Sequence, residues 1–367
     1  MTAVTAAPSF EALLDRPGLA WMGQNTTHLE PPAEVLEALA ESTRRREFQL
    51  YAPASGLTEL RSLITDDLSL PGFEVLVTDG AVGGLHHLCT ALAPQVSQLI
   101  TTDPGWPWPA RFVAVSGVPV TTVEVYSAEH GYKLAADRLA AVAAPRSLIY
   151  LVDPLNPLGS CYTREELVAI TEIARSTDSI LVHDCTYRHF ADRHHLAADL
   201  YPEGTLTTYS FSKWLGLAGL RLGAIVAAAP LLAQLTAVPS NPLGANIQAQ
   251  RAAIAGLRVK GPWLRRLTET NRGNQRIITD AVTSSGLGRV LVDPSQGNFL
   301  AVDIDESGWD ADELCAALLA EDIFIRPGSY QSPGFGHRFV KISTSVPEQW
   351  ARRLADAWPR LAERGPR

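Results

Sequence analysis

Lysine is scarce in this sequence. Lys133, Lys213, Lys260 and Lys341 are the four lysines among 31 Lys and Arg residues, which leaves 27 arginines. Codon bias explains such a preference, and it means that a lysine at a special position has a reason of its own. A block of basic residues is also missing, and with a formal net charge of −8 the chain lacks the electrostatic footprint for nucleic acid or an anionic membrane surface. The longest apolar stretch, near Leu222 to Leu235, is broken by Pro230 and too short to span a bilayer. Met1 to Leu14 carries acids and no basic leading segment, so no signal peptide is expected. Cys89, Cys161, Cys185 and Cys315 are the only cysteines, scattered without disulfide or metal spacing, which suits a reducing cytosol. Repeats, low-complexity tracts and long-linker signatures are absent. So is Gly-x-x-x-x-Gly-Lys-Ser/Thr, and Gly80-Ala-Val-Gly83-Gly84 is not Gly-x-Gly-x-x-Gly, so ATP and NAD roles have no fingerprint.

What is present is a long apolar alternation. With 367 residues, 46% of them hydrophobic, the chain can bury a sizeable core. Strand-length runs are expected at 74–78, 98–102, 118–125, 148–152, 180–183, 205–209 and 222–227, with helices at 82–92, 135–143 and 164–174 between them. Thr163-Arg-Glu-Glu166 reads as a capping box opening the last of these helices. Strand–helix alternation predicts an α/β fold with a mostly parallel, seven-stranded sheet sandwiched by helices. After Gly244 the pattern changes to a long helix over 245–283, strands at 289–292, 298–302 and 337–342, and helices at 311–320 and 347–362. The expected division is a large domain over 46–250 and a smaller α+β domain from 1–45 and 251–367, with the helix over 32–45 packing in the smaller one. In parallel sheets ligands sit beyond the carboxyl ends of the strands, which makes strand-end residues the functional suspects.

The densest signal is Thr208-Tyr-Ser210-Phe-Ser212-Lys213-Trp-Leu-Gly-Leu-Ala-Gly-Leu-Arg221-Leu-Gly223. An ammonium among Trp214, Leu215 and Leu217 is expensive to bury unless neutralised or bonded, and a desolvated amine is the form that condenses with an aldehyde. Ser210, Ser212 and Arg221 supply donors for a phosphate beside that amine. Asp153-Pro-Leu-Asn156-Pro157-Leu-Gly159 ends one strand in a tight turn that aims the Asn156 amide, and His183-Asp184-Cys-Thr-Tyr187 ends the next. Asn156, Asp184 and Lys213 are 28 and 29 residues apart, about one strand–helix unit each, so all three belong at neighbouring strand ends.

This set resembles the fold-type-I pyridoxal-phosphate enzymes, specifically class I/II aminotransferases of the histidinol-phosphate aminotransferase kind, and the resemblance spans nearly the whole chain. It implies pyridoxal 5′-phosphate as cofactor, with Lys213 as the Schiff-base lysine and proton shuttle and Asp184 paired with the pyridine nitrogen. It further implies that Asn156 and Tyr187 bond the ring's phenolate oxygen. Ser210, Ser212, Arg221 and the helix start Gly80-Ala81-Val82 would grip the phosphate. Trp106, in Asp103-Pro-Gly-Trp106-Pro-Trp108, would stack on the ring, with Trp108 in reserve. Tyr51, in Phe48-Gln-Leu-Tyr51, would reach the neighbouring subunit's cofactor, which implies a homodimer with shared sites, as does the Asn241–Asn246 stretch; the cysteine pattern makes the expected location cytoplasmic.

One departure stands out. The family carries Arg in a late strand, in a pattern like Leu-Arg-Ile-Ser, to clamp the substrate carboxylate; here the stretch reads Phe339-Val340-Lys341-Ile342-Ser343. Lys supplies a point charge where Arg supplies a fork, so Lys341, Arg338 and Arg326 are all candidates for the carboxylate. Asn25, His28 and Glu30 are placed to line the substrate side, where they suit a polar or cationic side chain. The expected reaction is transfer of an amino group between an amino acid and a 2-oxo acid, with an unusual or guanidino amino acid of specialised metabolism, such as antibiotic biosynthesis, as the finer reading. Lyase, decarboxylase or oxidase chemistry on the same fold is the first alternative. A metal-dependent hydrolase using the cluster from His183 to His195 is a distant one, and a Ser-x-x-Lys acyl enzyme lacks its partner motifs.

Overall fold

The computed structural model describes residues 10–237 and 241–366. The first nine residues, part of the stretch read for an export signal, lie outside them.

Seven strands form the main sheet: β2 (Glu74–Thr78), β3 (Gln98–Asp103), β4 (Val120–Glu124), β5 (Ser147–Val152), β6 (Ile180–Asp184), β7 (Thr205–Ser210) and β8 (Gly223–Ala227), in spatial order β2-β8-β7-β6-β5-β3-β4. Only β8 runs antiparallel to its neighbours β2 and β7. β5, β7 and β8 are buried at every position, as strands covered on both faces must be, and each reads as an unbroken apolar or threonine-rich run. The covering helices are α3 (Thr58–Leu68), α4 (Gly80–Leu92), α5 (Trp108–Val115), α6 (Ala136–Ala140), α7 (Arg164–Ser176) and α8 (Ala229–Thr236). α7 starts on the expected capping box, with Thr163 Oγ1 accepting from Glu166 N–H and Glu166 Oε2 accepting from Thr163 N–H. Each fully buried leucine or isoleucine in this core contributes about 1.5–3 kcal/mol.

A second core surrounds a four-stranded antiparallel sheet, β12-β13-β10-β9, built from β9 (Arg289–Val290), β10 (Phe299–Asp303), β12 (Arg326–Pro327) and β13 (Phe339–Ser343). α11 (Ala311–Leu319) and α12 (Glu348–Arg364) pack there, burying Leu314, Leu318, Leu354 and Trp358. The amino end joins this core: β1 (Ala20–Trp21) pairs in parallel with β11 (Ile323–Phe324), after the short α1 (Phe10–Leu14).

Two expectations are revised. The helix over 32–45 forms as α2 (Ala33–Arg44), but it packs on α9 (Ile247–Arg258), and Val35 is buried in the core of the larger sheet, not in the smaller lobe. The helix over 245–283 is two helices, α9 and α10 (Lys260–Ser285), parting at Val259. Pro262 is the physical reason, because a residue without an N–H cannot continue the ladder from α9 and is tolerated only in the first turn of a new helix. α9 and the first turns of α10 then serve the larger core through Ile254, Trp263 and Leu267.

Candidate active site

A cavity of about 290 Å³ opens where the carboxyl ends of β5, β6 and β7 meet the start of α4, with β12, β13 and the segment Gly23–Thr26 closing the other side. Phe211, Trp214 and Leu215, all fully buried, hold the turn after β7 and leave Lys213 facing this space. Lys213 Nζ donates to Gln24 O at 3.2 Å and lies 5.9 Å from the centre of the Tyr187 ring. Burial above all, and then the Arg221 charge, pull its pKa down to about 8, while Asp184 acts in the opposite direction. The neutral amine, the state a nucleophile needs, is thus far more accessible near physiological pH than in an ordinary lysine.

Asp184 ends β6 in register between Val152 of β5 and Thr208 of β7. Its buried carboxylate accepts from Tyr150 Oη (2.7 Å), Thr186 N–H (3.1 Å), Thr186 Oγ1 (2.6 Å) and Thr208 Oγ1 (2.7 Å). The sequence reading missed Tyr150, Thr186 and Thr208, and strand register was the available signal for Thr208: it is the residue that a parallel β6–β7 pair sets beside Asp184.

Asn156, on the turn after β5, has its Oδ1 fixed by two donors, Asn25 Nδ2 at 3.1 Å and Lys341 Nζ at 3.4 Å. Its amide nitrogen is therefore directed elsewhere. Asn25 Nδ2 also donates to Tyr187 Oη at 3.2 Å. Asn25 itself sits in the left-handed region at φ 54°, its N–H on Ser343 Oγ and its carbonyl accepting from Asn298 Nδ2. This strained conformation turns Gln24 and Thr26 toward the cavity. Burial raises the Tyr187 hydroxyl pKa well above its ordinary value, so it remains a donor.

The start of α4 forms a cradle. Gly80 adopts φ +79°, and a Cβ there would lie 2.3 Å from Arg221 Nη2. A Cβ on Gly223 would meet the Ala81 backbone nitrogen at 2.4 Å. No side chain caps the helix start, so its first N–H groups, with Ser210, Ser212 and Arg221, make a seat for an anion. Ala81, Val82 and Trp106 line the cavity. Trp108 does not line it: its ring packs beside Phe112 and Arg111, and its indole N–H donates to Tyr330 Oη at 3.4 Å.

The substrate side departs from expectation. Lys341 and Arg326 line the cavity, as does Asn25; Arg338 and His28 do not. Three positions before Lys341, at the strand entry, Arg338 projects to the other side, pairing with Asp305 at 3.3 Å and stacking over Tyr126. His28 bonds Thr26 Oγ1 at 2.9 Å and packs its ring against Trp350, and Glu30 is exposed. Tyr330 lines the cavity and was missed; it lies in a short turn with no periodic signal. Tyr51 is 78% exposed and does not line its own chain's cavity.

In the histidine cluster one of the rings that a metal centre would need is already committed to protein partners. His183, Cys185 and His194 come close enough to share an ion. However, both ring nitrogens of His183 are engaged: Nδ1 accepts the Ala197 N–H at 3.2 Å, and Nε2 donates to Asp153 Oδ2 at 3.2 Å. No lone pair is left for a metal. His189 is engaged with Asp67 in a separate network.

Residues 18–357 match the family model described as aminotransferase class I and II. The chain is 26% identical over 351 residues to the aspartate/prephenate aminotransferase of Thermus thermophilus, covering 91% of this chain and 90% of that one. It is 32% identical over 296 residues to histidinol-phosphate aminotransferase 2 of Hydrogenovibrio crunogenus, covering 79% and 75%. Among solved structures, N-succinyldiaminopimelate aminotransferase from Mycobacterium tuberculosis superposes with a TM-score of 0.81 at 26% identity, covering 94% of this chain and 95% of that one.

Proposed function

The chain belongs to the class I and II aminotransferase family of pyridoxal 5′-phosphate enzymes, and on that premise we propose that its cavity transfers an amino group between an acidic amino acid and a 2-oxo acid. The observation that carries this reading is the convergence of Lys213, Asp184, Asn156, Tyr187, Ser210, Ser212 and Arg221 on one 290 Å³ space. That space also fits the cofactor's chemistry: the Gly80 cradle has room for backbone alone, and the uncapped helix start favours a phosphate.

Lys213 would hold the cofactor's aldehyde carbon, Asp184 its ring nitrogen, Asn156 and Tyr187 its phenolate oxygen, and Trp106 one ring face. Ser210, Ser212, Arg221 and the backbone of Gly80, Ala81 and Val82 would hold the phosphate. When bound, pyridoxal phosphate supplies an electron sink for the charge that develops at the substrate α-carbon. The protein does the rest. Asp184, fixed by four donors, sets its carboxylate at the base of the cavity. Lys213 Nζ, with its lowered pKa, takes and returns the proton at the α-carbon. Lys341, with Arg326 beside it, receives the substrate carboxylate.

The guanidino substrate is set aside. Among the described residues the only carboxylate lining the cavity is Asp184, whereas the substrate side presents the Arg326 guanidinium and the Lys341 amine, groups that suit an anion. Relatives named for aspartate, prephenate and histidinol phosphate accord with an anionic substrate. We further propose a cytoplasmic homodimer in which Tyr51 serves the neighbouring site. Its surroundings support this, since Phe48, Leu50, Tyr51 and Leu243 are all exposed, and no described helix is long and apolar enough to cross a membrane. We read the two cores as two domains, the larger reaching past 46–250 to take in α2, α9 and the first turns of α10.

Borohydride treatment of the cofactor-loaded enzyme tests the covalent assignment: the peptide containing Lys213 is expected to carry the tag, and an untagged Lys213 overturns it. Single-turnover spectroscopy across acidic, neutral and cationic amino acids tests the reaction and substrate class together. Release of ammonia, carbon dioxide or peroxide in place of the 2-oxo acid would move the assignment to the lyase, decarboxylase or oxidase alternatives.

A further inference from the structure

Lys341 sits at the centre of β13, 3% exposed, directly opposite Arg326 across the β12–β13 ladder. Like charges in register on neighbouring strands repel. Arg326 from β12 and Lys213 from the turn after β7 act on its amine, and Asn156 from the turn after β5 bonds it; Asp184, Tyr187, Arg221 and Tyr330 are the other titratable or charged groups that line the cavity. Among the described residues, only Asn156 Oδ1, a neutral acceptor at 3.4 Å, is within hydrogen-bonding reach. The one carboxylate in the cavity, Asp184, already accepts four bonds from other residues.

We propose that Lys341 binds the substrate carboxylate together with a proton, so that entry of the carboxylate and protonation of this amine are one event. The inference rests on the reading of Lys341 as the carboxylate site. Burial first, then Arg326, then Lys213, hold the free amine well below the usual lysine range. An entering carboxylate reverses that balance, because it is the opposite charge the amine lacks. An arginine would stay charged throughout and exchange no proton. The substitution of Lys for the family's Arg in a chain of 27 arginines thus changes the clamp from a fixed charge to a titrating one. Above the lowered pKa, carboxylate affinity falls by about tenfold per pH unit, the slope set by one linked proton.

Calorimetric titration of the holoenzyme with maleate, and in parallel with acetate, in pairs of buffers of different ionisation enthalpy counts the protons taken up. The cofactor's visible band, followed at the same time, registers any proton taken at the Lys213 linkage. Wild type is expected to take up close to one proton per cavity on the alkaline side, with no matching change in the visible band. Lys341→Arg should bind with no uptake at Lys341 and a pH-independent dissociation constant. Lys341→Gln, which keeps a donor to Asn156 without a charge, covers the case in which arginine does not fit, and should bind weakly, flatly and without uptake. Binding by wild type with no uptake between about pH 6 and 10, uptake by Lys341→Arg equal to wild type, or failure of both acids to bind at any pH would each overturn the proposal. None of these outcomes depends on the borohydride tag at Lys213, so this inference and the functional reading fail separately.

Discussion

The two lysines in the cavity stand in opposite circumstances. Lys213 belongs to the larger sheet, in a turn anchored by three fully buried apolar residues and beside an aspartate saturated with hydrogen bonds. Lys341 belongs to the smaller sheet, faces the Arg326 guanidinium and has one long bond to a neutral amide. The cofactor half of the site is over-determined by packing and hydrogen bonding, whereas the substrate half is left with unmatched positive charge. A group that never leaves rewards rigid, fully bonded neighbours; a group that enters and departs each turnover needs partners whose charge is satisfied only on its arrival.

Removing Lys213 is the largest blow to the over-determined half. Lys213→Ala is expected to lower turnover by about 10³-fold or more, since nucleophile and proton carrier vanish together. Cofactor absorbance after gel filtration should show that the cradle around Gly80 and Arg221 still retains the group without its covalent link. Appreciable turnover by this variant would erase the distinction between the two lysines.

Gly80→Ala probes the same half without touching its chemistry. The added methyl would meet Arg221 Nη2 at 2.3 Å in a backbone held at φ +79°. Strain of this kind is worth about 1–3 kcal/mol, which predicts a roughly 10- to 100-fold faster loss of cofactor, with less change in the rate of the fully loaded enzyme. Unchanged cofactor retention would show that the anion seat lies elsewhere.

How much of this was legible in the sequence follows the same division. The seven strands and the residues proposed to hold the cofactor, Lys213, Asp184, Asn156, Arg221 and Gly80, could be picked out in order because burial on both faces writes continuous apolar runs, and tight turns write Gly and Pro beside the residues they aim. Tyr150 and Thr208 were hidden because they act through strand register, which no local motif records. On the substrate side Arg338 and His28 were misjudged and Tyr330 was missed. Side-chain direction there depends on strand phase and on the left-handed turn at Asn25, neither visible in residue types. The placement of α2 failed for a related reason: an amphipathic helix shows that it packs, not against what.

The smallest expected effect falls on the substrate half and divides affinity from rate. Lys341→Ala removes a charge that meets the carboxylate in the ground state and in the transition state alike, so KM should rise while kcat changes little. A hydrogen bond to a charged group is worth about 1.5–3 kcal/mol, which corresponds to a rise of roughly 10- to 100-fold, softened if Arg326 takes over part of the contact. The second consequence concerns Asn156, which would lose one of the two donors that fix its amide, leaving Asn25 Nδ2 alone at 3.1 Å. If that single bond suffices, the visible spectrum of the bound cofactor stays as in wild type and the two halves are separable. A spectral shift in Lys341→Ala, with kcat falling alongside the rise in KM, would instead show that the under-bonded half helps to hold the over-determined one.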